Sequence, residues 1–154
     1  MAGNVYDFRS GRSIKNLSPQ EVGEELERIR AEKGALTPAA VLEEATSEDS
    51  PLHSAFEWDD SEAAKQHRLN QARRLITSIR ILNGPNGSPV TAMISVKTPG
   101  RGREYVPTLQ AMNDDELKLR VLQDIRQFIE AQERRYAHIS HVAEVLERLK
   151  KAVG

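Results

Sequence analysis

The 154-residue chain contains no cysteine, which removes disulfides, thiol nucleophiles and cysteine-type zinc centres and fits a reducing compartment. Aromatic residues are scarce at 5%, with three Phe, three Tyr and one Trp, so a core must be built mainly from aliphatic side chains. No apolar run approaches the ~20 residues of a membrane span, and the N-terminus lacks the apolar stretch of a secretory signal. The expectation is a soluble protein of the cytoplasm, one domain in size, with no membrane partner. A net charge of −1 excludes a uniformly basic nucleic-acid binder.

Charge is nevertheless unevenly placed. Residues 1–17 carry three positive side chains and one negative, residues 18–60 three and twelve, residues 61–109 eight and two, and residues 110–154 eight of each. The middle of the chain is a basic block inside a near-neutral protein, which permits a local cationic patch.

The most informative stretch runs from Pro51 to Ile76. Asp59 and Glu62 have the spacing of a capping box, and Trp58 with Ala63 that of a hydrophobic staple, so a helix is predicted from near Asp60. At about 100° per residue, Ala64, Leu69, Ala72, Leu75 and Ile76 share one arc, while Glu62, Gln66, His67, Asn70, Arg73 and Arg74 share the other. Arg, Asn and Gln carry the paired donors and acceptors that match guanine and adenine edges, so the second arc has what a recognition helix needs. A solvated helix face has the same polarity and is the competing reading. Trp58 is read as a core anchor whose indole reaches a nearby carboxylate, ahead of a stacking platform for a base.

Taken in order, residues 1–16 show no sustained period and read as a flexible arm whose Arg9, Arg12 and Lys15 could reach DNA phosphates or a minor groove, with a disordered leader as the commoner explanation. Ser18-Pro19-Gln20-Glu21 is an N-cap, an N1 proline and a capping-box glutamate. The helix that follows buries Val22, Leu26 and Ile29 and stops at Gly34. Leu36-Thr37-Pro38 repeats the device for a short helix to Ala45, and Ser50-Pro51 opens a single turn carrying Leu52 and Phe56. Beyond Ile76 the period falls to two. Thr77, Ile79 and Ile81, then Val90, Ala92, Ile94 and Val96, predict a hairpin across the turn-rich loop 83–88, and a brief third strand is predicted near Tyr105 and Val106. Between them, Lys97, Arg101 and Arg103 with Gly100 and Gly102 form a cationic loop suited to phosphate contact, although exposed loops commonly share that composition. Neither Gly84 and Gly87 nor Gly100 and Gly102 form a nucleotide-binding fingerprint.

Asn113 to Glu116 reads as a further capping box. From there Val121, Ile125, Phe128, Gln132, Arg135, Ile139, Val142, Leu146, Leu149 and Val153 step by fours and threes, a heptad seam of coiled-coil type. One long helix and a helix pair broken near 137–140 share this spacing, and either offers an oligomerisation surface through Val121, Ile125, Phe128, Ile139, Val142, Leu146 and Leu149.

The segments LTPAAVLEEA, SPLHSAFEWDDSEAA, RLNQARRLI and RRYAHI resemble a family of uncharacterised bacteriophage and prophage proteins, over roughly residues 36–139, with SPLHSAFEWDD the distinctive block. The resemblance implies a phage or prophage origin, hence a bacterial host cytoplasm, and carries over no functional residues.

The expected fold is α+β and mainly α: an arm at 1–16, a winged helix-turn-helix-like domain at 17–109 with a small antiparallel sheet, and a helical oligomerisation segment at 110–154. The expected function is non-enzymatic binding of double-stranded DNA by a homo-oligomer, a dimer favoured, through Gln66, His67, Asn70, Arg73, Arg74, Lys97, Arg101 and Arg103. No metal or cofactor is expected, because His53, His67, His138 and His141 have neither ligand nor triad spacing. The alternative is an assembly protein that oligomerises through its C-terminal helix and meets an acidic protein partner.

Overall fold

The computed structural model describes residues 3–58 and 62–154, without the side chains of Glu62 and Ala63. The Asp59–Glu62 capping box and the Trp58–Ala63 staple therefore lie outside the described residues. The starts of the first two helices and the stop of the first act as read. Helix α1 (Pro19–Lys33) begins at Ser18, whose hydroxyl accepts from the Glu21 amide while the Glu21 carboxylate accepts from the Ser18 amide, and it ends at Gly34 with φ +79°. Helix α2 (Pro38–Ala45) is capped by the Thr37 hydroxyl. A tight turn at His53–Ala55 follows, then helix α3 (Glu62–Ser78).

The arm expected over residues 1–16 needs correction. Tyr6–Phe8 form strand β1, antiparallel to β2 (Ile79–Ile81), and β2 pairs in turn with β3 (Val90–Thr91). Asp7 lies opposite Arg80 and accepts from its Nη2 at 2.6 Å, a cross-strand ion pair. The outer edge of β1 is closed by the Gln20 side chain, which accepts from the Tyr6 amide and donates to the Asn4 carbonyl, both at 3.1 Å. A side-chain amide thus substitutes for a neighbouring strand.

The hairpin expected between 77–82 and 90–96 is also partly corrected. Val90 and Thr91 pair with β2, and the Ala92 amide donates to the Ile79 carbonyl; the chain then leaves that sheet, and β4 (Met93–Thr98) pairs over six residues with β5 (Gly102–Pro107) in a second, two-stranded sheet. Gly100 and Gly102, at φ +76° and +82°, supply the left-handed conformations that the β4–β5 connection requires. The Tyr105 amide donates to the Leu36 carbonyl at 2.7 Å, which ties this hairpin to the loop between α1 and α2.

A short helix α4 (Thr108–Asn113) leads to α5 (Asp115–Tyr136) and α6 (Ser140–Val153). The cap of α5 is Asp114, which accepts from the Leu117 amide, and not Asn113, whose side chain instead donates to the Leu109 carbonyl and belongs to α4. The seam is a helix pair, broken at 137–139 and packed back on itself, with Lys150 on α6 3.2 Å from Glu133 on α5. The architecture is mainly helical α+β with small antiparallel sheets and long C-terminal helices.

Two apolar clusters hold it. The larger gathers Tyr6, Val22, Leu26, Ile29, Leu36, Val41, Leu52, Phe56, Leu75, Ile76, Ile79 and Ile81 between α1, α2, α3 and the first sheet. The smaller joins Val96 and Val106 of the β4–β5 hairpin to Ala111 and Leu117, with Val121 against it. An Arg28-centred network reinforces the α1–α2 pairing through Glu25, Glu32 and Glu44, and Lys33 reaches Glu43 and Glu44. These carboxylates hold the Arg28 guanidinium's pKa above its ordinary range and Arg28 holds the Glu44 carboxyl's below its own. Four of the acidic residues of the stretch 18–60, Glu25, Glu32, Glu43 and Glu44, are engaged in this network.

Candidate nucleic-acid interface

Helix α3 is amphipathic along its described length. Ala72, Leu75 and Ile76 are buried in the main cluster, and Gln66, His67, Asn70, Arg73 and Arg74 are all exposed. The helix brings these five residues onto one solvent-facing side. They differ in what occupies them. Arg73 Nη1 donates to Asn70 Oδ1 at 2.8 Å, so two of the expected base-reading groups engage each other. His67 Nε2 lies 3.5 Å from Glu57 Oε2. The side chains of Gln66 and Arg74 have no partner among the described residues.

Trp58 sits at the base of this helix as a core anchor, but its partner is not a carboxylate. The indole Nε1 donates to the His53 carbonyl at 3.0 Å, and its ring stacks on His53 with centroids 4.8 Å apart. The tight turn at 53–55 presents that carbonyl five residues back, within reach of the indole. Arg68 covers the ring, its guanidinium carbon 5.4 Å from the centroid, and His53 Nδ1 lies 2.8 Å from the Ala45 carbonyl. This assembly is structural packing between α2, the turn and α3.

The three cations of the β4–β5 hairpin divide into two kinds. Lys97 and Arg101 are exposed, with no side-chain partner among the described residues. Arg103 is engaged: its Nη2 donates to Asp124 on α5 at 2.8 Å and its Nε to Ser95 Oγ at 3.0 Å. Arg103 therefore fastens the hairpin to α5. Helix α3 and β4 are in contact, so the basic helix and the hairpin belong to adjoining elements.

The sequence presents one cationic grouping only as part of a flexible arm, and its place beside α3 is not foreseen there. The loop 9–15 folds back along α3, with the Arg9 amide donating to the Ser78 carbonyl at 2.7 Å. It brings Arg12 and Lys15 to a cleft that Arg74 also lines. Only the pairing of β1 with β2 produces this meeting, and no local pattern in residues 9–15 announces it.

The residues proposed for oligomerisation are scattered in burial. Val121 is half-buried against the smaller cluster, and Val142 and Leu146 are half-buried. Ile125, Phe128, Ile139 and Leu149 are 41%, 65%, 42% and 48% exposed. Leu119, Leu122 and Val145 are exposed beside them, and α6 buries none of its side chains.

Among the described residues, no group of three or more His, Asp and Glu side chains is placed to hold a metal ion, and no helix is long and apolar enough to cross a membrane. Comparison of the chain with protein-family models, with curated proteins and with solved structures returns no match, so the reading of its function rests on the molecule itself.

Proposed function

We propose that this is a non-enzymatic, cofactor-independent DNA-binding protein of bacteriophage or prophage type that acts in the bacterial host cytoplasm as a dimer. In this reading α1–α3 with the strands that follow are a variant winged helix-turn-helix, α3 enters the major groove, and Lys97 and Arg101 on the β4–β5 hairpin touch phosphates. The observation that carries it is the exposed run Gln66, His67, Asn70, Arg73 and Arg74 on one face of a helix whose opposite face is locked into the main core. Such a helix presents base-reading chemistry on a rigid support. The connection from α2 to α3, residues 46–61, and the separate second sheet mark the departures from a simple winged helix.

Fluorescence anisotropy with duplex DNA at several salt concentrations tests the proposal. Binding is expected at low salt and weakens steeply as salt rises, because phosphate contacts release counterions. Replacement of Gln66, Asn70 and Arg73 by Ala is expected to abolish discrimination between sequences. No binding at low salt overturns the reading.

A second reading, an assembly protein, is favoured by the C-terminal helices. Leu122, Ile125, Phe128, Val145 and Leu149 are each exposed by two-fifths or more. Large apolar side chains left in water on two neighbouring helices are what an interaction surface requires. Residues 110–154 carry eight charges of each sign, which suits a second copy of the same helices. The two readings share this dimer and differ in whether the basic face meets DNA or an acidic protein.

A further inference from the structure

We propose that the cleft between the loop 9–15 and the C-terminal half of α3 is a phosphate-binding site held by Arg12, Lys15 and Arg74. It deepens the DNA-binding reading, with which it shares Arg74, but its chemistry stands without it. The cleft has a volume of about 560 Å³, and among the described residues no carboxylate lines it. All three cations are exposed, and none has a side-chain partner among the described residues. Elsewhere in this protein guanidinium groups are repeatedly matched to carboxylates: Arg28 to three glutamates, Arg80 to Asp7, Arg103 to Asp124 and Arg120 to Glu116. Three unmatched cations converging on one concavity, from segments some sixty residues apart in sequence, form a local field that favours an anion. Two arginines further suit a phosphate, whose oxygens match the guanidinium fork.

The loop is also held in shape before any ligand arrives. Its start is fastened by the Arg9 amide on the Ser78 carbonyl, at 2.7 Å. It turns at Gly11, φ +73°, with the Arg12 amide on the Arg9 carbonyl at 2.9 Å, and Ile14 and Leu17 pack on the main cluster. Little ordering therefore remains to be done on binding. The phosphate has two sources: the backbone of a nucleic acid, or a small phosphorylated molecule.

The full-length, isotope-labelled protein titrated with pyrophosphate tests this through the backbone amide signals of Gly11, Ser13, Lys15 and Gln71. Saturable shifts centred on these residues are expected, and their loss in Arg12→Ala/Lys15→Ala, a variant whose circular dichroism should match the wild type because both side chains are exposed. Shifts spread over every basic surface, or shifts indifferent to the double substitution, overturn the proposal. A duplex-DNA titration then separates the sources. If the nucleic-acid backbone is the ligand, the double variant binds duplex about tenfold more weakly at low salt, and its log–log salt slope falls by about two; if a small molecule is the ligand, duplex binding is unchanged while the pyrophosphate response is lost. Pyrophosphate binding without any duplex binding removes the DNA reading and keeps the cleft, whereas duplex binding with no pyrophosphate response removes the cleft and keeps the DNA reading.

Discussion

The ring of Tyr6 lies directly on Gly23. A Cβ built on Gly23 would stand 2.4 Å from the ring atoms Cγ and Cδ2, closer than any real contact. Gly23 is buried in the interior of α1, where glycine costs roughly 1 kcal/mol of helix propensity relative to alanine. The close approach of β1 is what that cost permits. Gly23→Ala is therefore expected to destabilise by about 1–3 kcal/mol despite its better propensity, because overpacking outweighs the helical gain. Denaturant unfolding checks it, and a stabilised variant would show that Tyr6 can move aside cheaply.

The same tyrosine makes stability sensitive to alkali. Burial, then hydrogen bonding of the phenol to Glu27, raise the Tyr6 pKa above its ordinary value of 10.0. The folded state holds the phenolic proton more tightly than the unfolded state, so this contribution is complete below pH 10 and is lost as pH rises through the higher folded value. Thermal midpoints measured from pH 8 to 11 should fall more steeply for the wild type than for Tyr6→Phe; parallel curves would contradict it.

Arg101 and Arg103 are two residues apart and should behave differently. Arg101→Ala is expected to weaken duplex binding and reduce the log–log salt slope by about one. Arg103→Ala removes an exposed ion pair with Asp124 and is expected to cost stability by ~0.5–1 kcal/mol, leaving the slope nearly unchanged. Equal slope changes in anisotropy titrations would place Arg103 on DNA as well.

Phe128→Asp/Leu149→Asp tests the dimer. Both side chains are about half exposed or more, so the charges disturb the fold of one copy little, while they place carboxylates at the centre of the proposed seam. Light scattering is expected to show a dimer for the wild type and a monomer for the variant, with equal helical content by circular dichroism. A wild-type monomer at high concentration refutes the seam.

What could be read from the sequence follows the range of each signal. The starts of α1 and α2 and the stop at Gly34 are local chemistry, a hydroxyl three residues from an amide or one left-handed residue, and they stood out. Strand β1 did not, because its three residues are organised by Ile79–Ile81, far along the chain. Asp124 decides that Arg103 is structural, and it lies twenty-one residues away on another element. The break between α5 and α6 carries neither glycine nor proline, so the spacing alone fitted one helix or two. For the candidate site, the exposed face of α3 was legible from helical periodicity. The cleft was not, since Arg12 and Lys15 reach Arg74 only through the pairing of β1 with β2.

That pairing also orders events during synthesis. Tyr6 is covered on one side by α1, but its strand partner Ile81 leaves the ribosome seventy-five residues later. Helices α1 and α2 can form early from their own caps, yet the first sheet must wait for α3 to be translated and to swing its end back to the start of the chain. Until then the apolar faces of α1 and α2 lack the cover that the first sheet and α3 give them, and this docking is a non-local step that closes a long loop.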